Sequence, residues 1–315
     1  MPLLPLHVRV PASTSNLGPG FDCVGLALAL FLDVTLVGES ATGASHFETR
    51  KGTALEWPAD GGCLVNAFER AMRDAGQDPQ PMVWRVVSEI PIGFGLGSTG
   101  AATAAGLLLG HAFAHGTSDV DPHLLITAGA EIEGHPDNST ASLLGGCTLA
   151  IEGQDGWHVL QHSISQDIGL AVAWPATPFD TRSSRGALPK SVPFKDAVDQ
   201  PRRLAFLLAG LANADPNLLR LGATEHLHQP YRLPLIPGAS QVFAAAATAG
   251  AWITTISGAG SGVVALASRD RIEHVASAMQ GAYHTADPPA TARVLDIVRD
   301  APRVTTIDEE STADR

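Results

Sequence analysis

From Ile90 to Gly110 the chain carries no charged side chain, and this stretch constrains the fold more than any other. A run so apolar belongs either inside a protein or inside a bilayer. Six glycines and a proline fall within it. Its first half, Pro91-Ile92-Gly93-Phe94-Gly95-Leu96-Gly97, is loop chemistry that argues against a membrane span. The alanine- and leucine-rich segment 98–113 then reads as a buried helix. A glycine loop opening a buried helix needs a large core around it. The composition can supply one, with 315 residues, 45% hydrophobic and 17% charged, and a mean hydropathy of +0.11. Disordered and collagen-like chains are excluded on the same numbers. The length is about twice that of a usual domain, so two domains sharing a cleft are expected.

Twenty basic residues against thirty-two acidic ones leave a formal charge of -12. Nucleic acids and anionic membranes both need a basic face, so neither is expected as a partner. An anionic ligand must be gripped by a local arrangement, because there are only three lysines, Lys51, Lys190 and Lys195. Cys23, Cys63 and Cys147 are scattered and lack CxxC spacing. They suit reduced thiols in a cytoplasmic protein better than a disulfide or zinc framework. The N-terminal residues have no basic segment followed by an apolar one and do not read as a signal peptide. A soluble, cytoplasmic protein is expected.

Strand and helix patterns follow one another along the rest of the chain. Residues 7–10 and the apolar 24–37 read as strands on either side of a polar Ser13-Thr14-Ser15-Asn16 cluster. Leu64, Phe68, Ala71 and Met72 predict a helix over 62–75, ended by Gly76. Residues 82–90 alternate as a strand, 122–133 as a helix, 134–138 as a turn and 145–151 as a strand. Turn-like composition at 153–156 marks the expected boundary between domains 1–155 and 156–315. Beyond it lie a strand at 168–174, a polar loop at 177–190, a helix at 200–212 and a shorter helix ending near His226. Strands at 252–256 and 263–267 flank the glycine turn 257–262, and the tail after Ile307 is acidic. Strands followed by helices in both halves predict an α+β fold.

Glycines at 93, 95 and 97 remove Cβ atoms where backbone must approach a ligand, and the helix behind them presents free N–H groups and a positive dipole end. That combination is an anion site, most often for phosphate. Gly95-x-Gly97-x-x-Gly100 satisfies the dinucleotide fingerprint literally, but nearly ninety residues precede it, and Asp119 and Asp121 downstream lie in a turn-like segment. A Walker A loop fails for want of a lysine. Tight packing of helix on sheet through small residues is the remaining reading of the loop alone. His111 with His115, and His226 with His228, have metal-like spacing but no third ligand.

Pro91 to Ala101 resembles the phosphate loop of the GHMP small-molecule kinases, whose usual Gly-Leu-Gly-Ser-Ser is here Gly95-Leu96-Gly97-Ser98-Thr99. Ser15-Asn16-Leu17-Gly18-Pro19-Gly20-Phe21-Asp22 resembles the N-terminal signature of the homoserine-kinase branch of that family. Many other members carry Pro-Gly-Lys just before it, where this chain has Pro11-Ala12-Ser13. Glu131-Ile132-Glu133-Gly134-His135-Pro136-Asp137-Asn138 is similar to the branch's Glu-x-Glu-Gly-His-x-Asp-Asn segment. Thr181 to Pro189, with Arg185, resembles Thr-x-x-x-Arg-x-x-Leu-Pro, and Pro230 to Pro237, with Arg232, resembles Pro-x-Arg-x-x-Leu-Ile-Pro. Ser257-Gly258-Ala259-Gly260-Ser261 looks like the third family motif. One departure stands out: the family's Asp-Asn-Leu-Val near the adenine pocket reads Gly62-Cys63-Leu64-Val65 here.

The resemblance implies a two-domain architecture, ribosomal-S5-like then ferredoxin-like, with the active site between the domains. It implies transfer of phosphate from ATP to the side-chain hydroxyl of L-homoserine, giving O-phospho-L-homoserine for threonine biosynthesis. ATP phosphates are then expected on Gly93, Gly95, Leu96, Gly97, Ser98 and Thr99, with Mg2+ held by Glu131 and Ser98 or Thr99. The substrate ammonium is expected at Asp22 and Asn16, and its carboxylate at Arg185 and Arg232, with Thr181 also binding substrate and Gly258 and Gly260 forming the third-motif loop. Asn138, with Asp137 and His135, is expected to orient the hydroxyl. Asn138 cannot act as a base, and the lysine that partners an aspartate in some relatives is absent. A loose phosphoryl-transfer transition state needs little base assistance. A homodimer is expected from family habit alone. A kinase for another small alcohol, and a non-catalytic nucleotide-binding paralogue, are the alternatives the residues leave open.

Overall fold

The computed structural model describes residues 5–48, 62–176, 186–283 and 290–307. Strand β1 (Leu6–Ser15) and the sixteen-residue β2 (Val24–Glu39) pair antiparallel at the centre of the larger sheet. The length of β2 serves two neighbours. β4 (Met82–Ser88) lies along its second half, with the short β3 (His46–Glu48) parallel to β4 at the edge. β5 (Cys147–Gly153) pairs with its first residues and forms a hairpin with β6 (Gly156–His162).

Helices α1 (Gly62–Asp74), α2 (Ser98–His115), α3 (Ile126–Glu133) and α4 (Asp137–Leu144) pack with this sheet. The uncharged helix is α2, buried at every residue from Gly100 to Gly110, with α1 and β1 against it. Leu64, Phe68, Ala71 and Met72 of α1 all join the same core. Among the described residues no helix is long and apolar enough to cross a membrane.

The second sheet holds β7 (Ile168–Trp174), β8 (Ile253–Ile256), β9 (Val263–Ser268) and β10 (Thr291–Leu295) in the order β10-β7-β9-β8, all antiparallel. Helices α5 (Phe194–Asn213), α6 (Pro216–Gly222), α7 (Gln229–Arg232) and α8 (Ala239–Ala249) separate β7 from β8. α9 (Ile272–Ala282) separates β9 from β10. That chain order with that strand order is the ferredoxin-like pattern. β7 has no polar side: Ile168, Leu170, Val172 and Trp174 enter the large core, while Ala171 and Ala173 enter a smaller one with α8 and α9. Burial on both faces is why 168–174 reads as an unbroken apolar run. The chain then returns to the first sheet, where β11 (Val304–Thr306) pairs with β1.

Several elements depart from the sequence reading. The turn at 153–156 is the tip of the β5–β6 hairpin, and both of its strands lie in the first sheet, so the boundary drawn at 155 cuts a hairpin. Turn residues signal a hairpin as readily as a linker. Ser13, Thr14 and Ser15 lie within β1 and are buried, and not in the loop that their polarity suggests. Asp137 and Asn138 open α4 where a turn was expected, and α5 begins six residues before 200 and accommodates Pro201 internally.

Candidate active site

One wall of the cleft is backbone. The glycine loop between β4 and α2 carries Gly95 at φ +71° and Gly97 at φ +68°, a region that side chains disfavour. A Cβ on Gly95 would collide with the Ser257 carbonyl oxygen, and one on Gly97 with the Ser13 hydroxyl. The close approach is stitched by hydrogen bonds. The Ser257 hydroxyl donates to the Gly95 carbonyl (2.7 Å), the Gly262 N–H to the Phe94 carbonyl (3.0 Å) and the Ser13 N–H to the Leu96 carbonyl (3.2 Å). Gly97 is the N-cap of α2, and having no side chain it supplies no capping bond of its own. The first-turn N–H groups of an eighteen-residue helix are therefore available to an anion in the cleft, with the helix dipole behind them. This is the local arrangement that a chain of charge -12 requires.

The other wall is side chains. Asp22 sits in the left-handed region (φ +48°), with its N–H donating to the Asn16 amide oxygen at 2.8 Å. The Asn16 amide nitrogen donates to the Gly258 carbonyl at 3.0 Å, so both ends of that side chain fix the loop. Arg232 closes α7 with 2% exposure, donates to the Gly258 carbonyl (3.3 Å) and lies 5.3 Å from the Phe21 ring centroid. The orientation of Asn138 is fixed too: its amide nitrogen donates to the Ser15 hydroxyl (2.9 Å) and its oxygen accepts from the Ser13 hydroxyl (3.0 Å).

Behind Asn138 lies Asp137, 1% exposed, whose Oδ1 accepts from His135 Nδ1 (2.8 Å) and from the Asn138 N–H (2.8 Å). Its Oδ2 has no hydrogen-bond partner among the described residues. Burial pushes the His135 imidazole pKa down. The bond to Asp137 and the charges of Asp137, Glu133 and Asp22 outweigh that push and hold it above its ordinary value.

Together these residues enclose a cleft of about 410 Å³ between the two sheets, lined by Asn16, Asp22, Gly93, Gly95, Leu96, Gly97, Ser98, Thr99, His135, Asn138, Arg232 and Gly258. Of the expected site residues, Asp137 and Gly260 stand behind the wall and not on it. Thr181 and Arg185 lie outside the described residues.

Glu131 is a correction. It is exposed on α3 and pairs with Arg70 on α1 at 2.8 Å. Glu133 is the carboxylate that faces the start of α2, accepting from the Thr99 hydroxyl (2.9 Å) and the Thr103 hydroxyl (2.7 Å). Two positions along a helix are about 200° apart around its axis, so the two glutamates cannot share a face. The sequence reading also missed Ser13 and Ser15 as partners of Asn138. Their spacing of two on a strand, which puts both on one face, was the available signal.

The family model described as GHMP kinases N terminal domain matches residues 63–146, and the one described as GHMP kinases C terminal matches 207–285. A homoserine kinase of Synechococcus sp. strain CC9311 is 38% identical over 294 residues, covering 92% of each chain. One of Moorella thermoacetica is 37% identical over 290 residues, covering 91% of this chain and 96% of the relative. The crystal structure of homoserine kinase from Cytophaga hutchinsonii superposes with a TM-score of 0.81 at 26% identity, covering 95% of this chain and 97% of that one.

Proposed function

The chain belongs to the GHMP kinase family, and we propose that within it the protein transfers the γ-phosphoryl group of ATP to the side-chain hydroxyl of L-homoserine, giving O-phospho-L-homoserine and ADP. One observation carries the reading: a carboxylate, Asp22, and a buried guanidinium, Arg232, line the same cleft as the N-terminus of α2. Fixed charges of opposite sign suit the two ends of a zwitterion, and the helix N-terminus suits phosphate.

In this reading the ATP phosphates lie on the 93–99 loop, held by backbone N–H groups. The substrate ammonium meets Asp22 and its carboxylate meets Arg232 and, from the 177–185 segment, Arg185. Asn138 holds the attacking hydroxyl in line with the γ-phosphorus, its amide kept from rotating by Ser13 and Ser15. His135 and Asp137 brace Asn138 from behind through the Asp137 Oδ1 bonds. The hydroxyl oxygen forms the new P–O bond as the bond from the γ-phosphorus to the ADP oxygen breaks, and the hydroxyl proton passes to water without a dedicated strong base. Positioning and electrostatics supply the rate in such a loose transition state.

The Glu133 carboxylate beside the Thr99 hydroxyl at the start of α2, with Ser98 adjacent in sequence, is a hard-oxygen donor set that fits Mg2+. Held there by Glu133 and Thr99, the ion would neutralise phosphate charge. Three scattered cysteines fit the reducing cytoplasm as the working compartment.

ADP release by the purified protein with Mg-ATP, offered L-homoserine, L-threonine, L-serine, mevalonate or no acceptor, tests the reading. Selective turnover of L-homoserine is the expected result. Selective turnover of another alcohol refutes the substrate, and ATP binding without turnover of any acceptor refutes the reaction.

A further inference from the structure

The residues that hold Asp22 and Arg232 at their separation form a built assembly of their own, away from the reacting atoms. The segment leading into α7 is pinned by one buried carboxylate. Glu225 accepts the backbone N–H groups of Leu227, His228 (2.9 Å) and Gln229 (2.7 Å) and the side-chain amide of Gln200 (3.2 Å). Gln200, on α5, also donates to the Pro19 carbonyl at 3.0 Å, tying the turn before Asp22 to the segment before Arg232. His228 is fully buried, and its Nε2–H donates to the Gly18 carbonyl at 3.3 Å.

The two anchors then meet on one ring. Phe21, the residue before Asp22, stacks on the His228 imidazole with centroids 5.1 Å apart and planes 22° apart. The same ring carries the Arg232 guanidinium 5.3 Å from its centroid. Burial pushes the His228 imidazole below its ordinary range; Glu225 pulls it up, Arg232 pushes it further down, and burial prevails. The His228 ring therefore stacks on Phe21 as a neutral partner, and the Arg232 cation lies over the Phe21 face.

We infer that Phe21 and His228 are positioning residues for substrate selection, their stack setting the span between Asp22 and Arg232 so that the site favours alcohols bearing an α-amino acid head over amino alcohols without a carboxylate. The inference rests on the zwitterion reading above. Two-point recognition of a small rigid head tolerates a mismatch of only about half an ångström, and a guanidinium on a flexible stem holds that tolerance only when something stacks it in place.

Steady-state kinetics with L-homoserine and with 3-aminopropan-1-ol, which keeps the amine and hydroxyl and lacks the carboxylate, test it. Phe21→Leu should raise KM for L-homoserine about tenfold while KM for ATP, kcat, and kcat/KM for 3-aminopropan-1-ol stay within about threefold. Phe21→Tyr should restore the wild-type values. His228→Gln, which keeps a side-chain N–H for the Gly18 carbonyl and removes the stacked ring, should follow Phe21→Leu. In an Arg232→Ala background, Phe21→Leu should cost less than about twofold, because the group it positions is gone. Equal losses on both acceptors, or a full Phe21→Leu penalty without Arg232, overturn the inference. Absence of L-homoserine turnover in the unaltered protein overturns the functional reading beneath it, a result visible before any variant is made.

Discussion

Two walls face each other across the cleft, and they are made of different material. One wall, proposed for the phosphates, is main chain: Gly95 and Gly97 held against Ser257 and Ser13, at the N-terminal end of α2. The facing wall is side chains: Asp22, whose main-chain N–H is held by Asn16, Asn138, held by Ser13 and Ser15, and Arg232, held by the Gly258 carbonyl and the Phe21 ring. A main-chain wall offers the same N–H groups whatever its sequence, but no added atom fits. A side-chain wall survives substitution as a fold and changes what it recognises. In the proposed reading the first wall takes the phosphates, the part common to a kinase family, and the second takes the acceptor.

The contrast can be broken at either wall. Gly95→Ala should have the largest effect, because it adds a clash with main chain to a positive-φ penalty. About 3 kcal/mol or more of stability should go, together with nearly all ATP turnover, in thermal melts and kinetics. An active, stable Gly95→Ala protein would erase the distinction. Arg232→Ala should fold normally and lose about 2–5 kcal/mol in kcat/KM for L-homoserine, with KM for ATP unchanged. Asn138→Ala should lower kcat by about a hundredfold and leave ATP binding intact, since it loses an orienting group and no phosphate contact.

The pair on α3 sharpens the comparison further. Glu133→Gln should raise the Mg2+ concentration needed for half-maximal rate by about tenfold, while Glu131→Gln should leave the rate alone and cost at most about 1 kcal/mol of an exposed ion pair. The smallest effect concerns pH. The His135 pKa is raised in the folded protein, so its contribution to stability is complete below its unfolded value and fades as pH climbs through the raised one. The melting-temperature difference between the wild type and His135→Gln should therefore be largest near pH 6 and shrink toward pH 9; a difference that grows with pH reverses the sign.

Much of this site is written in short contiguous runs. The phosphate loop, Asn16 to Asp22, and His135 to Asn138 each carry their residues within a few positions, so a linear reading finds them. β7 was legible for a different reason, since a strand buried on both faces has no polar alternation to misread. What escaped depends on partners distant in sequence. Ser13-Thr14-Ser15 look like a loop until Asn138 and Ser257 arrive to satisfy the hydroxyls that a strand interior would otherwise reject. Glu131 and Glu133 are chemically identical, and only the packing of α3 decides which one faces the start of α2. α4 is only eight residues long, too short for its periodicity to stand out beside the turn that precedes it.

The return of β11 to β1 bears on how the chain is made. The strand that carries Ser13 and Ser15 takes its outer neighbour from residues 304–306, and the Ala27 and Ala29 backbone bonds with Val298 and Asp296. The first sheet therefore stays incomplete until residues 296–306 have been synthesised. The sheet whose first strands are made before the second sheet is thus closed only after that second sheet has been made.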